Sequence, residues 1–404
     1  MKRKNNMIER QGFITLVCIV KTLSLIAQEN NEVTNNKPQI NNKSPFLEVN
    51  KEQLFKPVVA LESWATYSIG EEKNGSEYAD RGDLSFRRFR FGGKGSPYTW
   101  LSYSFQLHLD RLGEDSYAST KGSYGGIDIW NAFITARLLK SDLLNLHAGY
   151  YWAAISREFN TSAWAVGSFD KTRADWYMRN FITGKGNGIE SGIGLGGLKN
   201  FENFGISYRL GTYEPDAFTS SEYGSRLYTG RIMFSIGDAE QEKYGYMLSG
   251  NQWMKRTGIT LGLGASTQSD GKLSDTLYFD NSMAYGTDLL INYKGLRMDG
   301  EYFIFKRTAQ SYSDFDGTEW HVRAGYSFMI GTTYLEPAVT YESYEGEGSK
   351  ALYKYIGDDN TWDIGLNWYI NKEKLKLATH YIIQDGSTSP NTGDYIGFAF
   401  QYKL

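Results

Sequence analysis

Residues 99–110 read T-W-L-S-Y-S-F-Q-L-H-L-D. Leu101, Tyr103, Phe105, Leu107 and Leu109 fall on one side of an extended chain, and Ser102, Ser104, Gln106, His108 and Asp110 fall on the other. The same period of two recurs along most of the chain after Leu54. Trp130, Ala132, Ile134, Ala136 and Leu138 alternate with Asn131, Phe133, Thr135 and Arg137, and Phe204, Ile206, Tyr208 and Leu210 alternate with Gly205, Ser207 and Arg209. Trp320 to Ile330 alternates with His321, Arg323, Gly325 and Ser327. Trp362, Ile364, Leu366, Trp368 and Ile370 alternate with Asp363, Gly365, Asn367 and Tyr369. The chain closes with Ile396, Phe398, Phe400, Tyr402 and Leu404 opposite Gly397, Ala399, Gln401 and Lys403. Segments of about ten residues match a tilted strand crossing a bilayer and are long for a soluble strand.

The connections alternate in length. Short turns are expected at 92–97, 139–142, 293–296 and 371–374. Long polar loops are expected at 70–82, 111–126, 153–187, 213–224, 269–283, 308–318, 345–360 and 386–393. Eight long loops imply about 16 strands, provided that Tyr244–Lys255 belongs to an enlarged turn over 237–256 and is not a strand. Short turns at one end and long loops at the other predict an all-β, transmembrane antiparallel β-barrel, in which no strand edge stays unpaired. Trp100, Trp130, Trp320, Trp362 and Tyr402 then fit aromatic girdles at the two interfaces. A soluble sandwich would bury the apolar faces against each other, and its loops need not alternate in length.

Composition agrees. Of 404 residues, 15% are aromatic and 44 are Gly, against 7 Pro. Beyond the first 30 residues or so, no run approaches the roughly 18 apolar residues of a spanning helix. A formal net charge of −3, with no basic block in the mature chain, argues against nucleic acid as a partner. The single cysteine, Cys18, lies in the N-terminal apolar run, which removes disulfides and thiolate metal sites from the mature protein. Lys2, Arg3, Lys4 and Arg10 followed by the apolar stretch Phe13–Ala27 predict a cleaved signal peptide over 1–27, interrupted by Lys21. A surface helix that stays attached is the alternative. Residues 28–53, Asn-rich and polar, read as a disordered leader, and the barrel occupies 54–404.

Little in the chain points to catalysis. The four histidines, His108, His147, His321 and His380, are far apart, and no G-x-S-x-G elbow occurs. G-I-G-L-G-G at 192–197 lies in a strand with no helix after it, so close packing explains it better than a dinucleotide loop. The acidic loops at 314–319 and 346–348 lack full calcium-ligand spacing. No cofactor, metal or catalytic residue is expected. The segment 153–187 is too long to be a mere connector and carries Phe159, Trp164, Phe169 and Trp176 with Arg157, Lys171, Arg173 and Arg179. Folded inward it would narrow the lumen and focus a field on passing ions. An outward cap or an oligomer contact is the alternative.

F-R-R-F-R-F-G-G (86–93), S-F-Q-L-H-L-D (104–110), H-A-G-Y-Y through S-F-D-K (147–171), A-D-W through G-K-G-N-G-I-E (174–190) and D-I-G-L-N-W-Y-I-N (363–371) resemble the phosphate- and polyphosphate-selective porins O and P. The resemblance implies a sixteen-stranded trimeric porin with an inward third long loop. Paired strand-two arginines of that family correspond to Arg87 and Arg88, and the basic residue at the far end of its constriction loop corresponds to Lys171, preceded by Asp170. A regular strand turns only one of two adjacent residues inward, and the periodicity does not say which. Glu62 stands where the phosphate-selective members carry arginine, and Ser104 and Phe159 fall near positions of their lysines. Arg157 could replace one of these lost charges.

The expected function is passive diffusion of small hydrophilic solutes or ions, including anions such as phosphate, through the outer membrane of a Gram-negative bacterium. The partners are outer-membrane lipid, the solute and two further copies of the chain. Arg87, Arg88, Arg90, Asp110, Arg157, Asp170 and Lys171 are the candidate lining and constriction residues. The main alternative is a barrel plugged by 153–187 that serves as a binding or assembly subunit and docks partners through 237–256. A barrel-embedded hydrolase ranks third.

Overall fold

The computed structural model describes residues 53–404 apart from 70–71, 74–75, 78–79, 113–125, 220–224, 252 and 389–393. The expected signal peptide, nearly all of the leader and parts of four expected loops lie outside the described residues. The alternating segments form sixteen antiparallel strands. They are β1 (Lys56–Ile69), β2 (Arg81–Tyr98), β3 (Leu101–His108), β4 (Asp128–Arg137), β5 (Asn145–Trp152), β6 (Ile189–Asn200), β7 (Phe204–Glu214) and β8 (Leu227–Gly237). The second half holds β9 (Gly258–Lys272), β10 (Tyr278–Tyr293), β11 (Leu296–Ala309), β12 (Tyr312–Tyr326, resumed as Phe328–Ile330), β13 (Thr333–Gly348), β14 (Gly357–Glu373), β15 (Leu375–Asp385) and β16 (Asp394–Lys403). Each strand pairs with its sequence neighbours, and β1 pairs with β16 from Ala60↔Lys403 to Ile69↔Asp394, which closes the barrel. Closure satisfies the backbone without water, as a bilayer demands.

The two faces differ as the alternation predicts. On β9, Ile259, Leu261 and Leu263 are exposed while Thr260, Gly262 and Gly264 are buried. On β16, Phe398 and Phe400 are exposed while Ala399 and Gln401 are buried. A face that is apolar and open belongs to lipid. The other face carries most of the buried Arg, Asp, Glu and His of the wall.

Several expected boundaries move. G-G-K-G-S-P at 92–97 is not a turn: β2 runs through it to Tyr98, and the reversal falls at Thr99 and Trp100. The loops expected at 269–283 and 308–318 shrink to 273–277 and 310–311, because the paired strands extend through their polar residues. Polar composition marked exposure there, and exposure is compatible with a hairpin standing above the membrane. The tight turn at 294–295 has Lys294 at φ 45° and Gly295 at φ 96°, the left-handed pair that a two-residue hairpin needs.

The described residues of 238–257 contain no strand, in keeping with the enlarged turn, and they occupy the short-turn end of the barrel.

A charge on the lipid face is the sharpest check of this assignment. Leu263→Arg is expected to destabilise the folded barrel by about 2 kcal/mol, measured by reversible unfolding in bilayers.

Candidate functional site

Two β-bulges shape the inner face. Across β1 and β2, Glu62 pairs with Arg88 and Ser63 with Phe86, so Arg87 is an extra residue on β2. A bulge breaks the period of two, and both Arg87 and Arg88 consequently reach the interior cavity. The question that periodicity left open is therefore resolved in favour of both arginines. Across β3 and β4, Gln106 pairs with Asn131 and Leu107 with Ile129, leaving Trp130 as the extra residue. Trp130 accordingly does not belong to the interfacial girdle. It lines the cavity, with the Arg90 guanidinium 3.5 Å from its ring centre.

The cavity has a volume of about 840 Å³. Arg87, Arg88, Arg90, Asp110, Asp170 and Lys171 all line it. Asp170 accepts from Arg87 at 2.8 Å and pairs with Arg88, whose other nitrogen pairs with Glu62. Arg90 donates to Asp110 at 2.7 Å. Glu62 thus offsets the charge of Arg88. Ser104 also lines the cavity, but Phe159 is fully buried and touches Gly188 and Lys171 through its ring and carbonyl. Burial, with Arg179 next in weight, pushes the Lys171 ammonium down to about 8.

Arg157 departs from expectation. Its guanidinium is held by Glu240 at 2.7 and 2.9 Å and lies 3.3 Å from Asp288, so it serves buried ion pairs and not the cavity. Burial alone would raise the Glu240 carboxyl, but Arg157 holds it at about 2.

Two helices lie in the segment between β5 and β6, α1 (Arg157–Asn160) and α2 (Arg173–Thr183). Ser156 caps α1 by accepting from the Phe159 amide, and Thr172 caps α2 by accepting from the Asp175 amide. Gly184, at φ 74°, ends α2 in the left-handed conformation. The segment's polar groups engage side chains of the far strands. Ser156 Oγ and the Glu158 amide donate to Glu301 at 3.1 and 2.9 Å, the Phe169 amide to Asp363 at 2.7 Å, and the Ala174 amide to Glu342 at 2.9 Å. Arg323 donates to Glu158 at 3.1 Å and to Asp299 at 2.8 Å. Burial opposes the Glu158 charge, yet Arg323 keeps this carboxyl at about 2. At the end of α2, Arg307 donates to the Leu352 carbonyl at 2.9 Å and to the Phe181 carbonyl, with its guanidinium 4.2 Å from the Phe181 ring.

The enlarged turn meets the same segment. Glu240 holds Arg157, and the Leu248 amide donates to the Asn160 carbonyl at 2.9 Å. Asn251 donates to Glu336 at 2.8 Å, and Arg209 donates to the Gly245 carbonyl at 2.8 Å. Part of 240–251 is therefore engaged with the barrel's own inner side chains, while Glu242 and Lys243 stay exposed. In G-I-G-L-G-G, a Cβ on Gly196 would fall 1.8 Å from the Tyr244 hydroxyl, so a side chain there would displace the Tyr244 ring. The bulged Arg87, the inner Trp130, Glu240 and the Arg323 cluster were not legible from alternation, since each depends on pairing between distant segments.

Removing one member of a buried charge cluster leaves the others uncompensated. Arg323→Met is expected to cost about 3 kcal/mol of unfolding free energy, read from denaturant titration, because Glu158 and Asp299 both lose their cation.

The profile of the phosphate-selective porin O and P family matches residues 65–403. No curated protein sequence matches the chain. Among solved structures, the anion-selective porin from Comamonas acidovorans is similar, with 13% identity, a TM-score of 0.56 and coverage of 87% of this chain and 100% of that one. The trimer form of OmpT from Vibrio cholerae follows the same fold at 11% identity and a TM-score of 0.51, covering 87% and 99%. OmpF of Salmonella typhi, in complex with daunomycin, does so at 10% identity and a TM-score of 0.52, covering 87% and 97%. At such identities these likenesses speak for the fold, while the family match spans most of the chain. The chain belongs to the phosphate-selective porin O and P family and is a porin of the Gram-negative outer membrane.

Proposed function

We propose that the protein is a homotrimeric diffusion porin that prefers small anions, in which the segment between β5 and β6 lies within the lumen as a constriction. One observation carries this reading: the cavity is lined by ten basic and four acidic side chains, in a protein whose net charge is −3. A lining of one dominant sign, walled by low-dielectric material, concentrates counter-ions and lowers the barrier to their passage. Solute then moves down its own gradient, with no energy input and no chemical step. Arg87, Arg88, Arg90, Asp110, Asp170 and Lys171 shape the field, and Arg157 acts through the packing of the segment. The hydrogen bonds from Ser156, Glu158, Phe169 and Ala174 to the far strands support the inward placement. The pairing of Arg87 and Arg88 with Asp170 and Glu62 favours general anion preference over a dedicated phosphate cage. A trimer follows the assembly in which one structural neighbour is described. Removal of residues 1–27 on export belongs to the same proposal.

A plugged barrel is the second reading. It draws on the approach of Leu248 in the enlarged turn to Thr161 and Asn160, which narrows the lumen from the short-turn end.

The test is the reversal potential of the purified protein in a planar bilayer under a potassium chloride gradient. A potential of the chloride sign is expected, with phosphate on one side leaving most of the current. Cation selectivity would overturn the proposal, and absence of current from folded protein would favour the plugged barrel. Asp170→Asn is expected to raise the chloride-to-potassium permeability ratio roughly twofold, as Arg87 and Arg88 lose a shared carboxylate. Lys171 is charged below about pH 8 and neutral above it. Anion preference should therefore fall as pH rises from about 7 to about 9, and Lys171→Met should remove that step.

A further inference from the structure

We infer that Glu301, Glu319 and His321 form a buried site for a first-row divalent cation, with zinc as the best match. The register of β11 and β12 places Glu301 opposite His321 and Phe303 opposite Glu319, so the three side chains share the inner face of adjacent strands. One ligand atom from each lies within 4.8 Å of the others. The site is closed to solvent: Glu319 is 0% exposed, His321 1% and Glu301 5%.

The polar atoms are poorly matched without an ion. Neither carboxylate oxygen of Glu319, and neither ring nitrogen of His321, has a hydrogen-bond partner among the described residues. His321 Nε2 lies 3.7 Å from Asp299, too far for a hydrogen bond. Each oxygen of Glu301 accepts one hydrogen bond, from Ser156 Oγ and the Glu158 amide, and each retains a further lone pair. The nearby Arg323 is taken up by Glu158 and Asp299. Two carboxylates and an imidazole therefore converge in a buried place where the ring N–H is the single donor that the three supply when the carboxylates are ionised, an arrangement that desolvation penalises strongly. A single proton shared between the carboxylates would leave both nitrogens of His321 unmatched. A divalent cation engages all three groups.

The donor set selects the ion. Calcium and magnesium take six or more oxygen ligands, whereas one imidazole with two carboxylates suits zinc, with a fourth position open. The alternative grouping of Glu158, Asp299 and His321 fits less well, because Arg323 already occupies both of its carboxylates. Because Glu301 also holds Ser156 and Glu158, a cation here would tie β11 and β12 to the start of α1. This inference does not rest on ion preference of the channel.

The experiment is metal analysis of the full chain folded into detergent from chelator-treated urea, supplied with zinc and then desalted. About one zinc ion per chain is expected, and cobalt in its place should show visible ligand-field bands of a nitrogen-containing site. Glu319→Gln, nearly isosteric, should lower zinc retention at least about tenfold, while heat-shifted gel mobility reports a folded barrel. His321→Asn should do the same and abolish the cobalt bands. Folded wild-type protein that retains no zinc would overturn the inference. So would undiminished zinc in folded Glu319→Gln protein, which decides the matter if His321→Asn fails to fold.

Discussion

Closing sixteen strands pairs the wall from strand to strand with no free edge but encloses a space wider than the wall's own side chains can fill. The remaining structure depends on how that space is occupied. Buried charge is one part of it, and an apolar cluster that includes Phe303, Phe305, Phe315 and Tyr344 is another. Arg231 donates to Asp288, Arg297 to Glu336 and Arg323 to Glu158 and Asp299, all of them buried. Such pairs lose hydration on burial and are held by near-complete compensation, so each wall residue constrains the partner it can accept. Of these partners only Glu158 belongs to residues 153–188, which also meet the wall through the Phe169 and Ala174 amides.

Local backbone irregularity decides which of the β2 and β4 side chains reach the cavity. A regular β2 would present either Arg87 or Arg88 to the interior, and a regular β4 with Asn131 inward would turn Trp130 outward. The two bulges place both arginines and the indole on one cavity wall, where Arg90 stacks on Trp130. Asp170 then sits between the arginines and tempers their charge. Function and fold meet at these two extra residues.

Much of the fold was legible in the sequence because a bilayer imposes one face of each strand. The period of two from Phe204 to Leu210, and again from Ile396 to Leu404, survives unchanged in the structure. The extent of the hairpins at 269–283 and 308–318 was not legible, since polar residues serve equally in a loop and in a strand that stands in water. The site was half legible. Composition and family likeness singled out Arg87, Arg88, Arg90, Asp110, Asp170 and Lys171. The burial of Arg157 against Glu240, 83 residues away, could not be read from either, because it rests on where the enlarged turn comes to lie. Tyr244 beside Gly196 carries the same lesson: the glycine is visible in sequence, but its reason lies in another segment.

The claim on which the account turns is that the segment between β5 and β6 is fastened to the barrel's inner face by buried hydrogen bonds from its backbone. Hydrogen–deuterium exchange of the folded protein in detergent, resolved by peptide mass spectrometry, measures this directly. Peptides spanning 156–183 should remain protected for about as long as those of β11 to β14, since the Glu158, Phe169 and Ala174 amides donate to Glu301, Asp363 and Glu342. Complete exchange of these peptides within about a minute, while the strands stay protected, would contradict the account.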